Sequence, residues 1–260
     1  MARMKSVAVR GLMVMFIMLL PALALGQAMQ LTEVLLITVP TLKPDVAPEA
    51  FEAHVFTQLA SSARSAASAA GTRTHLVRVD RGTRKGLYAL ITAARPANRS
   101  NAPAVDLTNV ADGPGQRAEY ELIGAEKVGP LPAIEVLGIH ITRVLPDRRD
   151  EFERFIREQV HPAVATLRPD LRLLYYKPIG GDDPGRYLAI FALTQASRDK
   201  YWPGGADSDD LRVAFKAVQP LTKELRTYLV EGSYLADEKF AAAVFEGREW
   251  SDAVVVTPRK

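Results

Sequence analysis

The 260-residue sequence contains no cysteine. This absence excludes disulfide bonds, thiolate nucleophiles, and the zinc and iron–sulfur sites that depend on cysteine. A chain of this length can be stable without covalent cross-links, because it buries a large enough core. The sequence therefore predicts a fold that is held together by packing.

Motifs of the common enzyme classes are also missing. The sequence has no G-x-S-x-G nucleophile elbow, no P-loop and no G-x-G-x-x-G dinucleotide motif. No two of the four histidines have the spacing of a metal-binding pair. We therefore predict no metal and no cofactor, and the sequence leaves open whether the protein is an enzyme.

Long apolar runs are scarce, and the clearest one lies at the N-terminus. It spans Gly11 to Leu20 and follows three basic residues, Arg3, Lys5 and Arg10. The run is too short for a membrane span, and small residues follow it, as in a secretory signal. We predict a signal peptide over residues 1–26, cleavage before Gln27, and a secreted or periplasmic protein. An uncleaved anchor is the alternative.

An excess of basic charge is absent once this segment is removed. The chain has 33 basic and 30 acidic residues, and residues 1–26 hold three of the basic ones and none of the acidic ones. The remaining chain would therefore be neutral, whereas a nucleic-acid-binding surface needs a basic excess. We predict no nucleic-acid partner and no membrane association after cleavage. The basic stretch at 78–85 is interpreted as a solvated hairpin tip.

One sequence pattern occurs twice in the rest of the chain. Glu33–Ile37 returns as Glu135–Ile139, and Gly86-Leu87-Tyr88 returns as Gly185-Arg186-Tyr187. The offset is 102 residues for the first pair and 99 for the second. Such a long repeat is the size of a fold. We therefore predict two units, at 27–130 and 131–260.

Hydrophobic periodicity predicts the elements of each unit. Strands are expected at 33–39, 75–79, 87–93 and 119–123 in the first unit, and at 136–144, 171–177, 186–193, 228–235 and 253–256 in the second. Helices are expected from Pro48, from a cap at Asp147, over 209–226 with a kink at Pro220, and over 239–245. Residues 95–115, rich in proline and asparagine, are predicted to form a long loop.

This order is β-α-β-β-α-β in the second unit, and the first unit has a loop in place of its second helix. The order is that of the ferredoxin-like fold, which leaves one apolar sheet face bare. The predicted fold class is therefore α+β, with two tandem ferredoxin-like units whose antiparallel sheets pack face to face as an intrachain α/β barrel.

Several segments of the second unit resemble the dimeric α/β-barrel superfamily, which includes antibiotic-biosynthesis-type monooxygenases and EthD-like and NIPSNAP-like proteins. These segments are Asp150–Ile156, His161-Pro162-Ala163, Tyr176, Gly185–Leu188 and Arg198–Pro203. The resemblance implies two facing units around a lumen. Members include cofactor-free oxygenases, haem-handling proteins, isomerases and non-enzymes. With both units in one chain, we favour a monomer over a homodimer.

Strand alternation suggests which side chains face this lumen. The uniformly aliphatic sets are expected to meet the helices: Leu137, Ile139, Ile141, Leu188, Ile190 and Ala192. The opposite sets would then face the lumen and supply candidate ligand-binding residues: His140, Tyr187, Phe191, Tyr88, and Tyr175 or Tyr176. His140 and Tyr187 are also candidates for proton transfer. The structural alternatives are a buried histidine bound to a tyrosine, and tyrosines that only pack in the sheet.

Three functions are compatible with this interpretation. The protein would bind a small apolar or aromatic ligand in the lumen. Alternatively, it would be a cofactor-independent monooxygenase or isomerase that uses His140 and a tyrosine. A third option is an interaction domain without catalysis, whose lumen is filled. The volume of the cavity inside the barrel distinguishes the third option from the other two.

Overall fold

A computed structural model describes residues 29, 31, 33–64, 72–82, 84–101, 104–125, 134–167, 170, 172–180, 183–231 and 249–258. The predicted signal segment at 1–26 and the predicted helix at 239–245 lie outside these residues. The fold and site below are built from the described residues.

Eight antiparallel strands form a closed barrel. They are β1 (Val34–Val39), β2 (Arg73–Gly82), β3 (Tyr88–Ala94), β4 (Gln116–Leu122), β5 (Val136–Arg143), β6 (Arg172–Gly180), β7 (Arg186–Leu193) and β8 (Glu249–Val255). Their order around the barrel is β1-β3-β2-β8-β5-β7-β6-β4. Closure leaves no unpaired sheet edge.

The two halves of the chain use the same pairing order. In the first half β1 pairs with β3 and β4, and β2 pairs with β3. In the second half β5 pairs with β7 and β8, and β6 pairs with β7. The pairs β4–β6 and β2–β8 then join the halves and close the barrel.

Most predicted strands are present, but the one at 228–235 is wrong within the residues that can be described. Leu229 makes only an isolated bridge to Val144, next to a backbone hydrogen bond from Val230 N–H to the Arg143 oxygen, and residues 232–235 lie outside the described part of the chain. Tyr228 instead packs its ring against Phe155 at 5.3 Å between centroids. The place beside β5 is taken by β8, which contains the segment predicted as a closing strand.

The helices lie outside the barrel, and their bounds are α1 (Pro48–Arg64), α2 (Arg149–Phe155), α3 (His161–Ala165), α4 (Gln195–Tyr201), α5 (Asp209–Lys216) and α6 (Gln219–Arg226). Short 3₁₀ turns cover Pro96–Asn101, Pro146–Arg148 and Pro203–Gly205. A π-helical turn, Ile156–Val160, joins α2 to α3. Within the described part of the chain, none of these helices has the length and apolarity needed to cross a membrane.

Three details of the predicted helices are corrected. Asp147 does not cap α2, because it lies inside the preceding 3₁₀ turn and α2 begins at Arg149 without a side-chain cap. Pro162, which together with Pro169 is expected to end or kink this helix, does not end it, because a π turn precedes it and the helical path continues to Ala165. The helix predicted over 209–226 is two helices, with Pro220 in the first turn of α6, where its missing N–H costs little.

The predicted facing of the strand side chains is inverted. Leu137, Leu188 and Ile190 belong to a buried cluster to which all eight strands contribute, as only the barrel interior allows. Tyr187 and Phe191 instead pack with Phe152, Phe155 and other helix residues on the outside of the sheet. The gap between the helices and the sheet accommodates large rings on the outer face. Inside the barrel the strands face one another across a narrower space, which suits aliphatic side chains.

The described part of the predicted loop at 95–115 contains no α-helix, and its second part covers the outer face of the first half. Leu107, Val110 and Ala111 pack there against Tyr88 and Leu90. The loop thus fills the side of the sheet that a second helix would cover in a complete ferredoxin-like unit.

Candidate functional site

The barrel lumen is closed at one end by apolar side chains. Met29 is fully buried, forms a bridge with Ile134, and packs with Leu31 in the interior cluster. This end is formed by the N-terminal ends of β1, β2, β5 and β6, as the antiparallel registers require. The lumen therefore has a floor.

The opposite end of the lumen contains a cavity of about 560 Å³. Its walls are aliphatic side chains from both halves of the chain, among them Ile37, Val79, Ile91, Ile139, Ile141 and Leu188. Ile37, Ile139 and Ile141 are only partly buried although they point into the barrel. Small-molecule sites are commonly apolar concavities of about 300–1,000 Å³. The cavity is therefore large enough for an organic ligand.

The mouth of this cavity carries an excess of positive charge. Arg84, Arg117 and Arg186 line it, and Asp183 is the one carboxylate among its lining residues that the structure describes. Asp183 forms an ion pair with Arg143, which lies just outside the lining. Since a fourth arginine already offsets the carboxylate, the rim is net positive.

Tyr120 places a phenol on the wall of the same cavity. The residue is 5% exposed and is among those that line the cavity. Burial raises the pKa of Tyr120; Arg186 and Arg84 oppose this shift and Asp183 adds to it. The phenol is therefore a neutral, largely desolvated hydrogen-bond donor beside the charged rim.

Sequence reasoning missed these polar residues. The stretch at 78–85 was interpreted as a solvated hairpin tip, yet Arg84 from that hairpin lines the mouth. Arg186 directly follows the second hairpin, at a position equivalent to Leu87 in the repeat. A basic residue at both hairpins was the available signal. Tyr120 lies within the strand predicted at 119–123. Strand alternation would place its side chain in the lumen once the inward-facing set of residues is known.

Tyr88 and Tyr187 both tie a helix to the outer face of the sheet through their hydroxyls, although Tyr88 is also among the residues that line the lumen cavity. Tyr88 donates a hydrogen bond to Glu52 at 2.7 Å, and Tyr187 donates one to Glu153 at 2.8 Å. Burial is the main cause that raises the pKa of both tyrosines. These hydroxyls are already engaged, which fits the packing alternative better than ligand binding.

The pair Tyr175 and Tyr176 is divided between the two faces of β6. Tyr175 packs on the helix side against Phe152, and its backbone N–H donates to His161 Nε2 at 3.1 Å. Tyr176 is fully buried in the lumen cluster. Burial raises the pKa of both phenols. Of the predicted ligand-binding residues, Tyr176 thus belongs to the interior cluster, although it is not among the residues that line the cavity.

His140 also lies on the helix side, so its predicted lumen position is wrong. It lines a small cavity of about 110 Å³ together with Phe191, Trp202 and Asp252. Its ring meets Phe191 edge-on at 5.5 Å, and within the described residues its buried Nδ1 has no hydrogen-bond partner. The structure therefore brings His140 and Phe191 together, but away from the lumen cavity.

Burial lowers the pKa of His140 to about 4. Because the folded-state pKa lies below the unfolded value of about 6.5, His140 stabilises the fold fully above pH 6.5 and loses this contribution as the pH falls through 4. Burial raises the pKa of Asp252 to about 6, which acts in the opposite direction over the same range.

We expect His140→Asn to be less acid-sensitive than the parent. Between pH 7 and 4.5 the parent should lose about 2–3 kcal/mol of unfolding free energy through His140 alone. Urea unfolding at the two pH values measures this. His54→Asn, on an outer helix flank, is the control. Equal acid sensitivity of parent and His140→Asn would contradict a buried neutral imidazole.

A second, broader cavity of about 800 Å³ lies between the loop 104–115 and the outer face of the first half. Some of its polar side chains are already paired within the protein. Thr74 and Thr92 share a hydrogen bond of 2.8 Å, and Lys43 donates to the backbone oxygen of Thr108. This space is where the second helix is missing, and Arg117 lines it as well as the mouth of the lumen.

Metal ligands are not clustered in the part of the chain that the structure describes: no group of three or more His, Asp or Glu side chains could hold an ion. The lumen cavity with its arginine rim and Tyr120 is therefore the strongest candidate site.

Comparison with known proteins relates the chain to others by fold alone. No protein-family model matches the sequence, and no curated protein matches it. Among solved structures, a proposed monooxygenase from Lactobacillus acidophilus aligns with TM-score 0.50 and 9% identity over 86% of this chain and 92% of its own. A proposed monooxygenase from Fusobacterium nucleatum aligns with TM-score 0.50 and 10% identity over 89% and 100%. The structure is thus similar to the dimeric α/β-barrel fold, with no preference for NIPSNAP-like or EthD-like proteins.

Proposed function

We propose that this protein binds a small, largely apolar ligand in the barrel lumen. The observation that carries the proposal is the 560 Å³ cavity, open at one end and walled by aliphatic side chains of both halves. Such a wall leaves apolar surface in contact with water, and a ligand that covers it removes that surface at a gain of about 25 cal/mol per Å². The cavity also argues against a filled lumen that serves only for interaction.

Filling the cavity from its wall should abolish binding. Ala118 lies on β4 and lines the cavity, so Ala118→Phe places a ring in the space of the ligand. We expect saturable fluorescence of the neutral dye Nile red with the parent and its loss with Ala118→Phe. Val213→Phe, at a residue that is 67% exposed outside the barrel, is the matched control and should bind normally. Normal dye binding by a folded Ala118→Phe protein would contradict a lumen site.

The alternative is a cofactor-independent monooxygenase or isomerase centred on His140. It is favoured by the buried, unpartnered Nδ1 beside Asp252, and the neighbours described as proposed monooxygenases are compatible with it. The cavity of about 110 Å³ holds only a few water-sized groups at ~30 Å³ each, so an organic substrate would need the helices to move. No tyrosine hydroxyl among the described residues bonds to His140. Oxygen uptake with electron-rich phenols that His140→Asn leaves unchanged would remove this alternative.

The chain is further proposed to consist of two tandem ferredoxin-like units, 27–130 and 131–260, that form one barrel in a monomer. The common pairing order supports this, and so does a repeated side-chain cluster. Phe51 and Tyr88 lie 4.9 Å apart in the first half, and Phe152 and Tyr187 lie 5.1 Å apart in the second. A stable dimer in light scattering would contradict the monomer.

Export with cleavage before Gln27 is also proposed, on the basis of the basic residues and apolar run at 1–26. Cleavage at that position is compatible with the fold, because it retains Met29, which closes the floor of the lumen. The intact mass of the exported protein tests it, and a product that keeps residues 1–26 would identify an anchor instead.

A further inference from the structure

We infer that the lumen ligand is an amphipathic acid, with an apolar body inside the barrel and a carboxylate at the mouth. The inference rests on the proposed lumen-binding function and names the chemical class of its ligand. It follows from three features of one cavity: the apolar interior, the arginine rim and the Tyr120 phenol on its wall.

The charge at the mouth selects an anion. Three guanidinium groups line the cavity, contributed by Arg84 of the β2–β3 hairpin, Arg117 of β4 and Arg186 of β7. The opposing Asp183 is held by Arg143, and Glu119 lies 3.4 Å from Arg117 outside the lining. The side chain of Arg117 is 61% exposed, so it can turn toward a ligand without unfolding the strand. Guanidinium groups bind carboxylates through paired hydrogen bonds, which makes this head group the best match.

The Tyr120 hydroxyl is the second, independent observation. It lies on the cavity wall, whereas the hydroxyls of Tyr88 and Tyr187 are paired with carboxylates of the protein. A phenol on the wall can donate a hydrogen bond to an acceptor that a ligand carries.

The apolar interior limits the body of the ligand. The cavity holds on the order of 20 water-sized groups at about 30 Å³ each, which is the size of a medium-chain acid or a fused-ring acid. Beyond the rim, the lining from Ile37, Ile91 and Ile139 offers no charge, so a second charged group on the ligand would be buried without a partner.

The test compares head groups on one apolar chain. Dodecanoate, dodecanol and dodecylamine are titrated against the complex of the protein with Nile red, which is neutral and reports occupancy of the lumen. We expect dodecanoate to displace the dye at a concentration at least about tenfold lower than dodecanol, as charge-assisted hydrogen bonds are the strong ones. Dodecylamine should be the weakest competitor, and added salt should reduce the advantage of the acid.

Variants locate the preference at the rim. Two variants, Arg84→Gln combined with Arg186→Gln and separately Arg117→Gln, should bring the ratio of the displacing concentrations of dodecanol and dodecanoate toward one. The displacing concentration of dodecanol itself should not change. Tyr120→Phe should reduce it several-fold while keeping the ring. Arg99→Gln is the matched control, because Arg99 is an exposed arginine in the 3₁₀ turn that follows β3, away from the mouth. If the double variant does not fold, Arg117→Gln still tests the rim, because the Arg117 side chain is exposed and its loss should not unfold the protein.

The outcomes separate this inference from the function on which it rests. Displacement by dodecanoate and dodecanol at the same concentration, or stronger displacement by dodecylamine, would overturn the acid while leaving a lumen site. A preference for dodecanoate that survives all rim variants would also overturn it. Failure of Nile red to bind the parent protein, or binding that Ala118→Phe does not affect, would overturn the lumen function itself.

Discussion

Neither half of the chain is expected to fold when it is produced alone. Residues 27–130 and 131–260, expressed separately, should be insoluble or unfolded, whereas the two co-expressed halves should recover a soluble barrel. The physical reason is the inner face of each sheet. Each half alone would expose the apolar residues that form the lumen cluster, a patch well above the ~400 Å² that soluble surfaces tolerate.

Strand pairing and side-chain contacts between the halves add to this dependence. The pairs β4–β6 and β2–β8 would each become open edges. Arg198 of α4 is almost fully buried and forms a 2.7 Å ion pair with Asp80 of β2, and removing one partner of such a pair is strongly destabilising. Arg81 also donates to the backbone oxygen of Trp202 at 3.3 Å. The second half therefore loses partners of α4 as well as two strand pairings.

Solubility, circular dichroism and light scattering of each half measure this expectation. The control is the co-expressed pair, which has the same chain break but keeps the interface. The first half should be the more affected, because a loop rather than a helix covers part of its outer face. Two folded, monomeric halves that do not associate would mean separate domains, and the shared lumen with its proposed ligand would be lost with them.

Replacing Phe152 with alanine should cause the largest loss of stability among single substitutions considered for this chain. Phe152 is fully buried, and its ring meets Tyr187, Tyr175 and Tyr228 edge-on at 5.1, 5.9 and 6.1 Å. Phe→Ala substitutions in cores cost about 3–5 kcal/mol, because the cavity they leave is only partly filled. For a chain of this size we expect Tm to fall by roughly 6–20 °C.

The urea midpoint and Tm of Phe152→Ala, compared with those of two further variants, test this packing. Phe152→Leu keeps most of the volume and should lose clearly less stability. Val213→Ala, at an exposed position on α5, should change the unfolding free energy by less than about 0.5 kcal/mol. If Phe152→Ala is no less stable than Val213→Ala, α2 does not pack on the sheet as described.

Some features of the site follow from local sequence and others do not. Alternation divided the residues of β5 into two sets, Leu137-Ile139-Ile141 and Gly138-His140-Thr142, and that division is correct. It could not tell which set faces the lumen, because both faces of this sheet are covered and apolar. The assumption that aliphatic residues meet the helices was wrong, and it moved His140 and the tyrosines to the wrong side.

The same limit applies to the predicted strand at 228–235 and to the helix that contains Pro162. The segment at 228–235 has strand-like composition, but Tyr228 packs on the helices, and the edge beside β5 is taken by a strand about 20 residues later in the chain. Likewise, Pro162 predicts an end or a kink of the helix, and the helix instead continues through it after the preceding turn has widened to a π turn. Both outcomes depend on contacts between segments that are distant in sequence.

The sequence alone was sufficient for the class of elements, the positions of most strands, the loop at 95–115 and the expectation of a barrel, because periodicity and turn residues act locally. The tertiary structure decided which faces enclose the lumen, that the lumen has an apolar floor and an open mouth, and that Arg84, Arg117, Arg186 and Tyr120 meet there. These residues come from three separate segments, and only the closure of eight strands into one barrel brings their charges and the phenol to the same cavity.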